Sequence, residues 1–255
     1  MEPQQPEPGA QDVIACLHCG TARHPTARFC TGCGKPRPAI VAADPLAFER
    51  DQRDLFIVFG VTLLYILGSY FIERDDYREE LAWDLGFFLL VCGAAFLFLS
   101  MLRPALSFQG FNVVKLMRYL GIQAVMTVLV IISHNALASM LGSDNDPLAT
   151  YRDAPSTLLV ALLSIAVAPA ITEELAFRGL LFGKLVKLTS ARSSIIVSGF
   201  LFALVHFSFL SFFWLIPAGI FFGWMRQREG VIWYGVACHF AHNATVTIGD
   251  CYGWY

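Results

Sequence analysis

Between Ser194 and Met225 the chain carries one ionisable side chain, His206. Apolar runs of about 20 residues or more have the length of helices that cross a bilayer. In lipid, the backbone polar groups of such a run must be satisfied within the protein. Composition extends this reading to most of the chain: 56% of its 255 residues are hydrophobic and 15% are charged. That profile predicts an all-α polytopic membrane protein, a bundle of about seven transmembrane helices. The expected spans cover about 55–72, 84–102, 117–141, 157–182, 194–209, 211–226 and 230–249. The weakest boundary is the turn near Ser208 to Ser211, where one long bent segment is the alternative. Pro169 and Pro217 fall inside spans and should kink them, freeing backbone groups where these are buried in protein or face a cavity. A formal net charge of −2 offers no basic excess for phosphates, so no nucleic-acid partner is expected.

Ahead of the first span the composition changes. Residues 1–12 are Pro-rich and polar and are read as a disordered tail, without the apolar core of a signal peptide. Residues 13–36 hold two matching knuckles, Cys16-Leu-His-Cys19-Gly20 and Cys30-Thr-Gly-Cys33-Gly34. In each, the trailing Gly lets the backbone turn so that amides face the thiolates. Four thiolates suffice to close a tetrahedral structural zinc site, and the stretch resembles the short zinc ribbons of bacterial membrane proteins. His18 and His24 are read as bystanders. A module this small should fold largely by binding its metal, with a role in stability or partner contact. Residues 37–54 are read as a linker ending in the charged run Glu49 to Asp54. Residues 55–150 are read as amino-terminal helices and 151–255 as the functional core.

Charge orients the bundle. With the amino terminus cytoplasmic, inside loops carry Arg103, Lys115, Arg118, Lys184, Lys187, Arg192, Arg226 and Arg228, and outside loops only Arg74, Arg78 and Arg152. This follows the positive-inside rule and keeps the cysteine knuckles in a reducing compartment.

Polar groups inside the spans carry the chemistry, because an intramembrane ionisable residue is costly and by default marks a functional site. Span four contains Glu173, Glu174 and Arg178, span five ends near His206, and span seven contains His239 and Asn243. Glu174 and Arg178 are four residues apart on one helix face and can pair. Glu173 sits about 100° round the helix, so that pairing need not consume it. A carboxylate, two imidazoles and a carboxamide can supply a base for water and donors for an oxyanion. Glu173, His206 and His239 would also make a His₂Glu metal set, but no His-Glu-x-x-His helix accompanies them. Phe202 is read as packing, His242 as facing a neighbouring helix, and His134 as a cross-helix hydrogen-bonding group. The aromatic residues around 207–224 are read as lipid-facing or interfacial.

Glu-Glu-x-x-x-Arg, Phe-x-x-x-His and His-x-x-x-Asn, in this order over residues 155–250, resemble the CPBP family of intramembrane proteins. That family includes CAAX-processing glutamic proteases and bacteriocin-immunity relatives. The resemblance implies that Glu173 activates water, that His206 helps bind and orient it, and that His239 and Asn243 stabilise the oxyanion. Glu174 and Arg178 would hold the shape of the site. It implies an intramembrane endopeptidase acting on a membrane protein or peptide, with zinc in the ribbon and no cofactor in the catalytic site. The alternative is a non-catalytic scaffold, or an immunity or regulatory protein that binds a peptide. A transporter is disfavoured because no internal repeat is visible. A bacterial inner membrane is the expected location, with the ribbon available to a protein partner.

Overall fold

The computed structural model describes residues 14–16, 18–23, 27, 29–35, 45–74, 76–141, 146–208 and 211–254. The tail expected over 1–12 and residues 37–44 of the expected linker lie outside the described residues. Among the described residues, a two-stranded antiparallel ribbon, β1 (Ile14–Ala15) and β2 (Ala22–Arg23), precedes eight helices longer than one turn. These are α1 (Pro45–Phe71), α2 (Tyr77–Leu97), α3 (Leu99–Leu106) and α4 (Val113–Leu141), then α5 (Thr157–Leu188), α6 (Ala191–Leu204), α7 (Phe212–Glu229) and α8 (Trp233–Tyr252).

The protein is an all-α membrane bundle. α1, α2, α4 and α5 are each long and apolar enough to cross a membrane, and α6, α7 and α8 stand where spans five to seven were expected. The uncertain boundary between spans five and six is a break, because α6 stops at Leu204 and α7 starts at Phe212. Several boundaries differ from the sequence reading, among them the starts of α2 and α4 and the end of α5, and the largest difference is at the start of α1. The charged run at 49–54 is helical, because Asp51 and Asp54 both face inward and each holds Lys184 Nζ at 2.8 Å.

Local signals set the helix ends. Asp76 caps α2 by accepting from the amides of Arg78 and Glu79, with Glu79 and Glu80 in the first turn. Asn112 accepts from the amides of Val114 and Lys115 ahead of α4, and Ser190 caps α6. Gly230 ends α7 with a positive φ that favours glycine.

α5 is the axis of the bundle, contacted by α1, α2, α3, α6, α7 and α8. Residues 174–185 are all buried, while α1, α2 and α4 turn large apolar side chains such as Phe56, Leu64, Phe96 and Leu129 outward. Pro169 lies between two π-helical stretches, Leu162–Val167 and Glu174–Leu181. Proline has no N–H to serve the carbonyl four residues back. That carbonyl, on Ile165, accepts instead from Asn243 Nδ2 of α8 at 2.8 Å.

α6 and α7 form the closest helix pair, meeting at Gly199 and Gly219. A Cβ on Gly199 would lie 2.7 Å from the backbone nitrogen of Ile220. Small residues at such a crossing let the backbones approach. Gly199→Ala is expected to cost about 1–3 kcal/mol through overpacking, read as a lowered melting midpoint in detergent. An unchanged midpoint would show that the two helices separate freely.

Candidate active site

The site begins with a pair of charges inside α5. Glu174 and Arg178 are both fully buried and lie 3.0 Å apart. Arg178 Nη2 donates to Gly219 O at 3.1 Å, and the guanidinium sits over the rings of Phe202 (4.3 Å) and Phe222 (5.1 Å). Arginine suits this position because its planar head can pair, donate and stack at once. Glu174 Oε1 also faces His239 Nδ1 at 3.4 Å. α8 comes this close because residue 235 is glycine, where a Cβ would lie 2.5 Å from Glu174 Oε2.

Glu173 points away from this pair, as its angular offset on the helix predicts. Two imidazoles converge on its Oε2 atom: His206 Nε2 and His239 Nε2 each lie 3.9 Å from it. His206 Nδ1 is 2.8 Å from the carbonyl oxygen of Phe202, one turn back. A carbonyl only accepts, so Nδ1 carries the proton, and in the neutral ring Nε2 presents a lone pair toward Glu173. His206 stands just beyond α6, in a turn held from α1. Tyr70 Oη donates to His206 O at 2.8 Å, and the Tyr70 ring meets Phe207 edge-on. Phe207 has φ of 46°, a left-handed conformation uncommon for a bulky side chain.

Glu173, Glu174, Arg178, His206 and His239 therefore lie in one connected arrangement, Asn243 lines the same cavity as Glu173, His206 and His239, and several readings need revision. Phe202 does more than pack, since its ring lies against Arg178, His206 and His239. Phe222, read as lipid-facing, is buried and stacks on His239. Its place four residues before Arg226 on α7 gave no polar signal to single it out. His242 does face a neighbouring helix, with Nδ1 2.9 Å from Thr127 Oγ1 of α4. His134 is exposed and rests edge-on against Trp214.

Two cavities meet at Glu173 and His206. One, of about 790 Å³, is the more polar of the two, with Tyr65, Ser69, Arg74, Glu80 and Asp84 in its wall beside Ile66, Trp83 and Phe87. The other, of about 1020 Å³, is largely apolar, with Met126, Val130, Trp214 and Phe222 in its wall beside His239 and Asn243. It adjoins an apolar groove of about 1300 Å³ that shares Met126, Val130 and Trp214 and lies between α4 and α7.

Asp84 is the ionisable residue that the sequence reading passed over. It opens the expected span 84–102, at the edge of an apolar run. In the fold it accepts a hydrogen bond from Ser164 Oγ of α5, which accepts from Tyr151 Oη at 3.0 Å. Burial pushes the Tyr151 phenol up to about 12, so it remains a donor.

The amino-terminal cysteines form a second, separate site. Cys16, Cys19, Cys30 and Cys33 place their sulfurs all within 4.8 Å of one another, with Cys16 to Cys33 at 3.8 Å and Cys19 to Cys30 at 3.5 Å. Four sulfurs on a tetrahedron around an ion at about 2.3 Å are about 3.8 Å apart, so the spacing fits a metal ion. The two knuckles repeat one backbone pattern. Gly20 and Gly34 have φ of 70° and 72°, and their amides donate to the carbonyls of Cys16 and Cys30. Hydrogen bonds with Thr21 bring Cys19 down to about 6. Cys33 is lowered by the amide of Lys35 but raised more by desolvation and its three thiol neighbours, reaching about 11. A cation at the centre of the cluster would relieve that crowding. Among the described residues, this is the one group of such ligands drawn so tightly together.

Residues 155–245 match the family model for Rce1-like type II CAAX prenyl endopeptidases. The Rce1-like region holds Glu173, Glu174, Arg178, His206, His239 and Asn243, and it ends before the last turns of α8. The cysteine module and the α1 and α2 residues of the polar cavity lie outside it. Neither curated proteins nor solved structures gave a match.

Removing one partner of a buried ion pair strands the other charge. Arg178→Met is expected to cost about 3–5 kcal/mol, with the double variant Glu174→Gln/Arg178→Met recovering much of that loss in a detergent melt. A single variant as stable as wild type would show that the pair does not hold the site together.

Proposed function

We propose that the protein is an intramembrane endopeptidase in which Glu173 activates water for attack on a peptide bond. The observation that carries this reading is the convergence of His206 Nε2 and His239 Nε2 on Glu173 Oε2, each at 3.9 Å. That separation is too long for direct hydrogen bonds and suits a shared water. The Rce1-like match over 155–245 supports the same reaction class.

In this reaction a water is held by Glu173 and by the Nε2 lone pair of His206. Glu173 takes one proton as the oxygen attacks the carbonyl carbon, and the resulting acid later gives that proton to the leaving amine. His239 Nδ1 faces Glu174 and its Nε2 faces Glu173, which places the ring beside the oxyanion. Asn243 uses one amide N–H on Ile165 O, which leaves its second N–H for the oxyanion. Glu174 and Arg178 position His239 and the aromatic rings. The proposal takes water activation to proceed without a metal, as the resemblance of the Glu-Glu-x-x-x-Arg, Phe-x-x-x-His and His-x-x-x-Asn motifs implies. The apolar groove between α4 and α7 would take the membrane-embedded part of the substrate.

The cysteine module is proposed to hold structural zinc, with Cys16, Cys19, Cys30 and Cys33 as its ligands. Zinc would supply folding energy to a segment with little core of its own. The ribbon is proposed to lie in the cytoplasm of a bacterial cell, with the bundle in the inner membrane, on the positive-inside pattern of its loops.

Two measurements test these assignments. New peptide termini in membranes expressing wild type should disappear with Glu173→Gln at matched expression, with turnover down at least ~100-fold and insertion unchanged. Termini that persist would remove Glu173 from the chemistry, and a variant that binds but does not cleave in either form would favour a scaffold. Metal analysis should give a single zinc per chain, lost in Cys16→Ser. A folded, metal-free module would exclude the ribbon reading.

A further inference from the structure

The bundle has two distinct ends, and the two sites of the protein lie toward opposite ones. At one end the cysteine module rests on the membrane helices: Gln227 Nε2 near the end of α7 donates to Thr31 O at 2.8 Å. The same end gathers the start of α1, through Asp51 and Asp54 on Lys184, and the start of α4, through Lys115 on Glu229 at 2.6 Å. At the other end, α1 finishes beside the close of α6, joined by Tyr70 and His206. There α2 begins, and Arg74 pairs with Glu80.

The polar cavity that reaches Glu173 and His206 is lined by residues of this second end, including Ser69, Arg74, Glu80 and Asp84. α6 starts at the cysteine-module end and closes at Leu204, and the non-helical turn beyond it carries His206 into the wall of this cavity, beside the last turn of α1. Irregular backbone in a membrane bundle is tolerated where it is buried in protein or lines a water-filled cavity, and His206 lines this one.

Charge gives the two ends their sides. Lys115, Lys184, Lys187, Arg192, Arg226 and Arg228 lie at the cysteine-module end, against Arg74, Arg78 and Arg152 at the other. The positive-inside rule makes the module end cytoplasmic, and free thiols for metal binding agree with that. We propose that the site draws its water and its peptide from the extracytoplasmic side. The substrate is then the extracytoplasmic juxtamembrane segment of a membrane-anchored peptide, with its apolar part in the groove between α4 and α7. The assignment of a substrate rests on the hydrolytic reading above, whereas the direction of opening does not.

The test uses the full chain in intact cells, with Cys92, Cys238 and Cys251 replaced by serine and the cysteine module retained. Single cysteines are introduced as Ser69→Cys, Arg152→Cys or Arg228→Cys and exposed to a membrane-impermeant maleimide. Ser69→Cys and Arg152→Cys should label equally before and after permeabilisation, and Arg228→Cys only after it. The reverse pattern would overturn the proposal, as would labelling at Arg152→Cys without labelling at Ser69→Cys. The termini lost in Glu173→Gln should then map to extracytoplasmic segments. Glu173-dependent termini on cytoplasmic segments would overturn the proposal and leave the hydrolytic reading standing. The expected labelling without any Glu173-dependent termini would overturn the substrate assignment together with that reading.

Discussion

A carboxylate and a guanidinium, both removed entirely from water, are held 3.0 Å apart in the middle of α5. Each ion loses several kcal/mol of hydration there, and their attraction offsets this only if geometry and further polar partners are right. The surroundings follow from that demand. α7 supplies the Gly219 carbonyl and the Phe222 ring, α6 supplies the Phe202 ring, and α8 supplies His239. These three helices are brought to the pair by glycines at 199, 219 and 235, where the backbone or the carboxylate leaves no room for a side chain. The pair thus sets where the helices carrying the two histidines must stand.

A second dependence runs through the backbone of α5. Pro169 has no N–H for the Ile165 carbonyl four residues back, inside a region where an unsatisfied group costs several kcal/mol. Asn243 satisfies it from α8, one helical turn beyond His239. The same contact that repairs the helix therefore fixes the height of α8, and with it the approach of His239 to Glu173. Any part that Asn243 plays in chemistry is limited to the N–H left over.

The sequence was most legible where local rules decide the outcome. Helix existence followed from apolar runs, and the pairing of Glu174 with Arg178 followed from a spacing of four. The two knuckles were readable because each repeats one residue pattern. What stayed hidden depends on contacts between distant segments. Phe222 looked like any aromatic of a membrane helix until α7 turned it onto His239. Asp84 sat at the margin of an apolar run, where a charge needs no explanation. Its burial comes from Ser164 and Tyr151, some 80 and 67 positions along the chain. The early start of α1 was hidden for the same reason, since Asp51 and Asp54 look like solvent-exposed charges unless Lys184 is known to face them.

Two adjacent glutamates would ordinarily be interchangeable, and here helical geometry separates them. Glu174 faces the packed side of α5, where Arg178 and His239 occupy it. Glu173, about 100° away, faces the wall between a polar and an apolar cavity. A carboxylate tied to arginine is poorly placed to trade a proton, whereas one with two imidazole nitrogens 3.9 Å away can share a water with them. The difference between the two residues comes from which face of α5 the rest of the bundle covers. That is why the end of α6 matters as much as any side chain: the helix closes at Leu204, and the turn beyond it brings His206 to the Glu173 side of the axis.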